Sequence, residues 1–276
     1  MARRTRSLLS CALALAAIAG CSQARDAVPS ELDTNRPGIL SVAAALDSPG
    51  FWDGDAPETV AGGYEWAIAV ELAERFELEL QIVDVAFTDI IAGDLGGADL
   101  ALAQIVPTDE RRELLDFGVA YLDADFGVLV PDGESIRDLA TARQLSWATV
   151  AGSQQQSALT TTVRPAGGVV AVANETMAAD AVRSGLVDAA LIDLPSALVI
   201  AGAQDGLNVT AKIQTDGRLS PAFPLGSANI ELIDTALRAM NNDGTLQELE
   251  QTWLESLYER PARDVPSIII KSTASN

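Results

Sequence analysis

The chain has 276 residues, room for one large domain or two modest ones, and its 48% apolar and 21% charged residues are a globular balance far from disorder. With 18 Lys+Arg against 39 Asp+Glu the net charge is −21, a surface that repels phosphate backbones and anionic headgroups, so nucleic-acid binding is set aside. His is absent and the two Cys, Cys11 and Cys21, sit at the extreme N-terminus, which removes Ser-His-Asp and Cys-His nucleophiles, His-ligated metals and any disulfide framework, so no metal and no cofactor is expected.

The N-terminus reads as an address. Arg3, Arg4 and Arg6 form a basic region, and Leu8–Ala19 is an apolar run too short to span a bilayer as a permanent helix. It ends in Ile18-Ala19-Gly20-Cys21. Small residues before a Cys, straight after such a run, resemble the bacterial lipobox. That resemblance implies cleavage before Cys21, lipid on Cys21 and anchoring to a bacterial membrane from outside the cytoplasm. The other reading is an ordinary secretory signal with an incidental Cys. Residues 1–20 are therefore read as a lipoprotein signal peptide, and the polar, patternless stretch 21–37 as a flexible tether.

Strands and helices then alternate. Leu40–Leu46 is a short apolar run closed by Asp47-Ser48-Pro49-Gly50, which is turn chemistry. Tyr64–Phe76 places Ala67, Val70 and Ala73 on one helical face. Leu80–Val85 reads as a strand and Phe87–Ala92 as a short helix. Asp99–Val106 is an apolar run stopped by Pro107 and followed by a charged helix, Thr108–Leu115. Phe126–Val130, Leu145–Val150, Val169–Val172 and Ala189–Ile192 are further strands, with helices near Ser135–Ala142, Gln154–Thr162 and Glu175–Ser184 between them. Asn229–Asn241 and Leu246–Leu257 are closing helices, and Ser267–Lys271 reads either as an added edge strand or as a loose end. Strands separated by helices of this length predict one parallel α/β sheet, or two.

Five stretches, in order, carry a family likeness. They are Gly63-Tyr64-Glu65; Asp99-Leu100-Ala101-Leu102-Ala103 with Thr108-Asp109-Glu110-Arg111-Arg112 and Asp116-Phe117; Val150-Ala151-Gly152-Ser153; Ala181 to Ala189 with Asp193; and Asp243-Gly244-Thr245 with Trp253-Leu254. Together they resemble the family 3 extracytoplasmic solute-binding proteins, the amino-acid receptors of ATP-driven importers. The resemblance implies a two-lobed, type II periplasmic-binding-protein-like α/β fold. Each lobe would be a mostly parallel sheet flanked by helices, joined to the other by two crossover strands. Lobe one would be residues 38–125 plus 220–258, lobe two 126–219, and the tail 259–276. It also implies a monomer that binds a small solute, an amino acid or close relative, in the interlobe cleft. The partner would be the membrane subunits of an ABC importer. The same fold occurs as an enzyme, cyclohexadienyl (prephenate/arogenate) dehydratase, and a degenerate or sensory binding protein is a further alternative; a non-enzyme is expected.

Arg111 lies early in a helix, where the dipole prefers acids such as Asp109 and Glu110. A bound carboxylate, gripped by a planar fork, would explain it; a surface pair with Glu110 or Asp116 is the alternative. By resemblance Arg111 takes the α-carboxylate. Gly152 lets backbone approach a ligand, and Ser153 and Gln154 would donate to the same carboxylate from the other lobe; Ser153 alone also reads as a helix N-cap. Asp193 would pair with the α-ammonium, or cap the helix that Pro195 opens. Phe87 looks like the aromatic that packs on the ligand, and Phe51 and Trp52 occupy the first ligand loop, with core packing as their other reading. The family's hydroxyl residue is here Val106, its small residue is Gln104, and its first aromatic is Ser48. Either a carboxylate donor is missing, or Gln104 supplies it differently. Asp47, Asp53, Asp55 and Asp89 hint at a cationic side chain on the solute. Arg111→Ala is expected to abolish binding and leave the fold intact, as for an exposed cleft residue.

Overall fold

The computed structural model describes residues 31–203 and 205–268. The leader and most of the tether read above, Cys21 included, lie outside the described residues.

β1 (Ile39–Ala44) is buried along nearly its whole length, as a central parallel strand must be, which explains its apolar run, broken only by Ser41, whose hydroxyl donates to Asp99 Oδ2. The chain then turns through Ser48–Trp52 into α1 (Tyr64–Arg75). α1 starts at Gly63, where φ is 112° and a Cβ would sit 2.2 Å from the Phe51 carbonyl oxygen, so only glycine fits. β2 (Glu79–Asp84) pairs parallel with β1, and α2 (Phe87–Ile91) follows. β3 (Leu100–Ala101) pairs parallel on the other side of β1. The apolar run Asp99–Val106 is strand only at Leu100–Ala101 and then leaves the sheet. Gln104, at φ 52°, turns it toward the cleft. α3 (Asp109–Arg112), capped by Thr108, leads to β4 (Leu115–Phe117).

The chain crosses over through β5 (Leu122–Asp123). The second lobe comprises β6 (Phe126–Pro131), α4 (Leu139–Ala142), β7 (Trp147–Val150), α5 (Gln154–Ala158) with one π turn at Leu159–Val163, and β8 (Val169–Val172). It continues with α6 (Glu175–Arg183), β9 (Ala189–Asp193), α7 (Leu194–Ala203) and β10 (Leu207–Ile213). β11 (Arg218–Leu219), antiparallel to β5, returns the chain to β12 (Ala222–Pro224), α8 (Ile230–Asn242) and α9 (Thr245–Trp253).

The sheets run β2-β1-β3-β12-β4 and β10-β6-β9-β7-β8. In each, four strands run one way and one runs against them. The odd strand is β12 or β6, the first after each crossover, so both lobes are the expected mostly parallel sheets. A third passage joins them. Residues after α9 leave Leu254 in the first core, lean Tyr258 on both cores, and bury Val265 and Ile268 in the second lobe. The tail start adds one parallel bridge, Ser267 beside Lys212 of β10, in which Lys212 N–H donates to Pro266 O and Ile268 N–H to Lys212 O, both at 2.8 Å; residues 269–271 of the expected strand lie outside the described residues.

Candidate functional site

The interlobe cavity is lined from the first lobe by Ser48, Phe87, Gln104 and Arg111, and from the second by Ser153, Gln154, Glu175 and Asp193, among others. Arg111 is 5% exposed. Its Nη1 donates to Val106 O at 2.8 Å and its Nη2 to Gly152 O, across the cleft, at 2.9 Å. Its guanidinium carbon lies 5.5 Å from the Phe87 ring centroid. Two of its five N–H donors thus go to carbonyls, and among the described residues the others have no hydrogen-bond partner. Burial lowers the Arg111 pKa, while Asp193 and Glu110 oppose that fall. The expectation of an exposed cleft Arg that contributes little to stability is therefore corrected: this one is buried and bridges the lobes. Val106, which cannot offer a side-chain donor, orients Arg111 through its carbonyl.

Ser153 caps α5. Its hydroxyl accepts from Gln156 N–H at 3.1 Å and donates to Val150 O at 2.7 Å, so the capping reading holds while the residue also faces the cavity. Gly152, at φ 73°, donates its N–H to Gln156 Oε1 at 2.7 Å. Asp193 Oδ1 accepts from Gln155 Nε2 at 2.7 Å. Burial first, then Glu175 and Glu65, push the Asp193 pKa well up, and Gln155 and Arg111 pull against them. Gln104 reaches both lobes: its N–H donates to Glu65 Oε1 at 2.7 Å, and its Oε1 accepts from Ser196 Oγ at 3.3 Å.

Phe51 is a correction. It is fully buried in the first lobe's core, its ring edge-on to Tyr64 at 6.2 Å, because the Gly63 approach pulls its backbone under α1. Trp52 lies in the same core, its Nε1 donating to Glu65 Oε2 at 2.9 Å and to Leu102 O at 3.0 Å. The expected acids lie elsewhere too. Asp53 accepts from Gly50 N–H, Asp55 from the Thr59 hydroxyl, and Asp89 is exposed. Asp47 accepts from Asn174 Nδ2 at 3.2 Å and Thr176 Oγ1 at 3.0 Å, tying one lobe to the other. Ser48 lines the cavity but donates its hydroxyl to Ala45 O at 3.0 Å.

Two buried acids, Glu175 on the cavity wall and Glu65 behind Gln104, were not singled out from the sequence. Glu65 is fully buried and accepts from Trp52, Gln104 and the Tyr121 hydroxyl. Burial raises its pKa to about 7 against those three donors. Glu175 is 4% exposed, and its Oε1 accepts from Asp193 N–H at 3.2 Å. Its pKa is likewise raised to about 7, chiefly by burial, with Ser196, Asp193 N–H and Gln104 holding the rise back. Glu65 stands in the Gly-Tyr-Glu stretch, a usable signal. Glu175 follows the Asn174 cap and looks like any first-turn acid.

A forked cation and buried acids on opposite walls of one cleft suit a small dipolar guest. Residues 40–256 match the bacterial extracellular solute-binding proteins, family 3. The chain belongs to that family. This solute-binding protein is 28% identical over 200 residues to the amino-acid-binding protein AabA of Dichelobacter nodosus, covering 69% of this chain and 78% of that one. It is 26% identical over 197 residues to the L-cystine-binding protein TcyJ of Escherichia coli, covering 69% and 73%. An amino-acid ABC transporter substrate-binding protein from Streptococcus pneumoniae, solved with L-arginine, superposes with a TM-score of 0.70 at 27% identity, over 80% of this chain and 93% of that one. The cysteine-binding protein from Campylobacter jejuni, at 20% identity, shares the fold with a TM-score of 0.73 over 82% and 94%.

Proposed function

We propose that this solute-binding protein holds an amino acid or close relative in the interlobe cleft and delivers it to an ABC importer. The observation that carries the reading is the pair Arg111 and Asp193, both buried, on opposite walls of one cavity. Arg111 takes the α-carboxylate with the donors it has not given to Val106 and Gly152. Asp193 takes the α-ammonium, Gln154 and Ser153 border the carboxylate end, and Phe87 packs over the guest. Each charge of a zwitterion is then read by a different lobe, so binding stabilises closure, the state an importer recognises. The lobes divide near residues 125 and 219, Cys21 carries lipid, and the monomer hangs outside the cytoplasm on a tether shorter than the expected 21–37, because Leu32, Asp33 and Asn35 are docked on the first lobe through its core, Asn229 and Asp99.

A thermal-shift screen of the twenty amino acids and L-cystine tests this. At least one should raise the melting temperature through preferential binding to the folded state. Arg111→Lys, measured by calorimetry on folded protein, should weaken that binding at least about tenfold, because a point charge replaces a bidentate fork. If no amino acid shifts the transition, the proposal fails. The raised carboxyls Glu65 and Glu175 are also what an acid catalyst would need, so the dehydratase alternative is tested directly. Incubation with prephenate should yield no aromatic product.

A further inference from the structure

Glu175 is left unexplained by that reading. Its carboxyl is buried at the cavity wall, one oxygen is held by Asp193 N–H, and Oε2 has no hydrogen-bond partner among the described residues. An unpaired buried acceptor is costly and calls for a donor. The surroundings are acidic. Asp193 on β9 and Glu65 on α1 face it, with the Tyr121 hydroxyl behind Glu65; Ser196 on α7 and Gln104 supply neutral dipoles. Asp47 binds the residues on either side of Glu175, and Arg111 is the cation beside Asp193. Among the described residues no three of His, Cys, Asp or Glu converge closely enough to hold a metal ion. The Ser196 hydroxyl is already given to Gln104 Oε1, and so acidic a wall favours a cationic donor, which a guest ammonium can supply.

We propose that Glu175 is a second acid of the solute site: its free Oε2 accepts a hydrogen bond from the ammonium group that Asp193 also holds, and arrival of that ammonium expels a proton that the two acids share in the empty protein. The inference rests on the amino-acid reading above. It makes Glu175 a specificity-determining residue, selecting solutes with a cationic nitrogen over neutral or purely anionic ones. The balance is simple. The Glu175–Asp193 pair loses one proton to solvent and gains one ammonium, so its net charge change is nil. Burial and mutual repulsion keep the pair partly protonated near neutrality, whereas an ammonium between them favours both carboxylates. Affinity should consequently rise with pH, by up to about tenfold per unit between pH 5 and 7, and level off above.

The test is isothermal titration with whichever amino acid gives the largest thermal shift, in phosphate and in Bis-Tris at pH 6, buffers of low and high ionisation enthalpy. The two heats should differ by the equivalent of about one proton released per bound molecule, falling toward none at pH 8.5. Glu175→Gln should bind with at most about half that release and a flattened pH profile. Equal heats for the wild type at pH 6, or undiminished release from Glu175→Gln, overturns the inference while leaving amino-acid binding intact. The wild-type comparison of pH 6 with pH 8.5 stands even if the variant does not fold. A screen in which no amino acid binds refutes the underlying reading instead.

Discussion

Titrating the empty protein between pH 5 and 8 should make it less stable, and Glu65 is the reason best isolated by mutation. Its carboxyl is fully buried among Trp52, Gln104 and Tyr121, and its pKa stands at about 7 against an ordinary 4.5. A folded-state pKa raised above the unfolded value contributes stability that is complete below about pH 4.5 and lost as pH rises through about 7. Each such group lowers the unfolding free energy by about 1.4 kcal/mol per pH unit in that window, or about 3 kcal/mol in all. Glu175 and Asp193 act in the same direction. The chain has no His, so no imidazole titrates there to blur the slope. Asp243, whose pKa is lowered to about 2, titrates below the window. The assay is urea unfolding at pH 5, 6, 7 and 8, for wild type and Glu65→Gln. The amide sets an N–H against the Trp52 or Gln104 donor, which costs about 1–3 kcal/mol at every pH. The slope, not the absolute stability, is therefore the readout, and Glu65→Gln should flatten it by about 1.4 kcal/mol per unit. A wild-type stability that is level or rising from pH 5 to 7, or identical slopes in the two proteins, refutes the reasoning.

Gly63→Ala should cost about 2–4 kcal/mol in the same urea assay, because a Cβ there meets Phe51 O at 2.2 Å in a positive-φ conformation. Asp47→Ala removes the bonds to Asn174 and Thr176, so small-angle scattering should show a larger radius of gyration and titration about tenfold weaker amino-acid binding. Gly50→Ala should open the lobes in the same way, since its Cβ would lie 2.8 Å from Val199 Cγ2 on α7 and 3.0 Å from Leu254 Cδ2.

The long parallel strands of both sheets were legible in the sequence because buried parallel strands announce themselves as apolar runs bounded by turn residues. The short strands β4, β5, β11 and β12 were not, and the helix expected over Thr108–Leu115 ends at Arg112, with Leu115 already in β4. β10 was not read either. Its residues alternate, Leu207, Val209, Ala211 and Ile213 inward with polar ones between, and Asn208, Thr210 and Lys212 dilute the apolar signal. α7 was visible only as a Pro195 start, because it follows Asp193 with no loop to mark the change. At the site, Arg111 stood out by opposing the helix dipole, whereas Glu175 conformed to it and was hidden. Phe51 was misplaced for a different reason. An aromatic in a loop carries no sign of which wall it faces, and its burial depends on the close contact with Gly63, twelve residues on.

Among the described residues, closure of the cleft rests on few polar contacts between lobes: Asp47 with Asn174 and Thr176, Arg111 with Gly152, and Ser196 with Gln104. At about 0.5–1.5 kcal/mol net apiece they amount to a few kcal/mol, close to the roughly 5.5 kcal/mol that separates a mostly open from a mostly closed population. Against them stands the burial of Glu175 and Asp193 opposite one guanidinium. Ionising those acids in a closed, dry cleft is unfavourable, so at neutral pH the empty protein needs a cation to shut. Either a guest ammonium or added protons can supply it. The two routes separate in one experiment: scattering on the empty protein should give a smaller radius at pH 5 than at pH 8, and saturating amino acid should erase the difference. A radius that stays the same across that range without solute would mean the acids do not oppose closure.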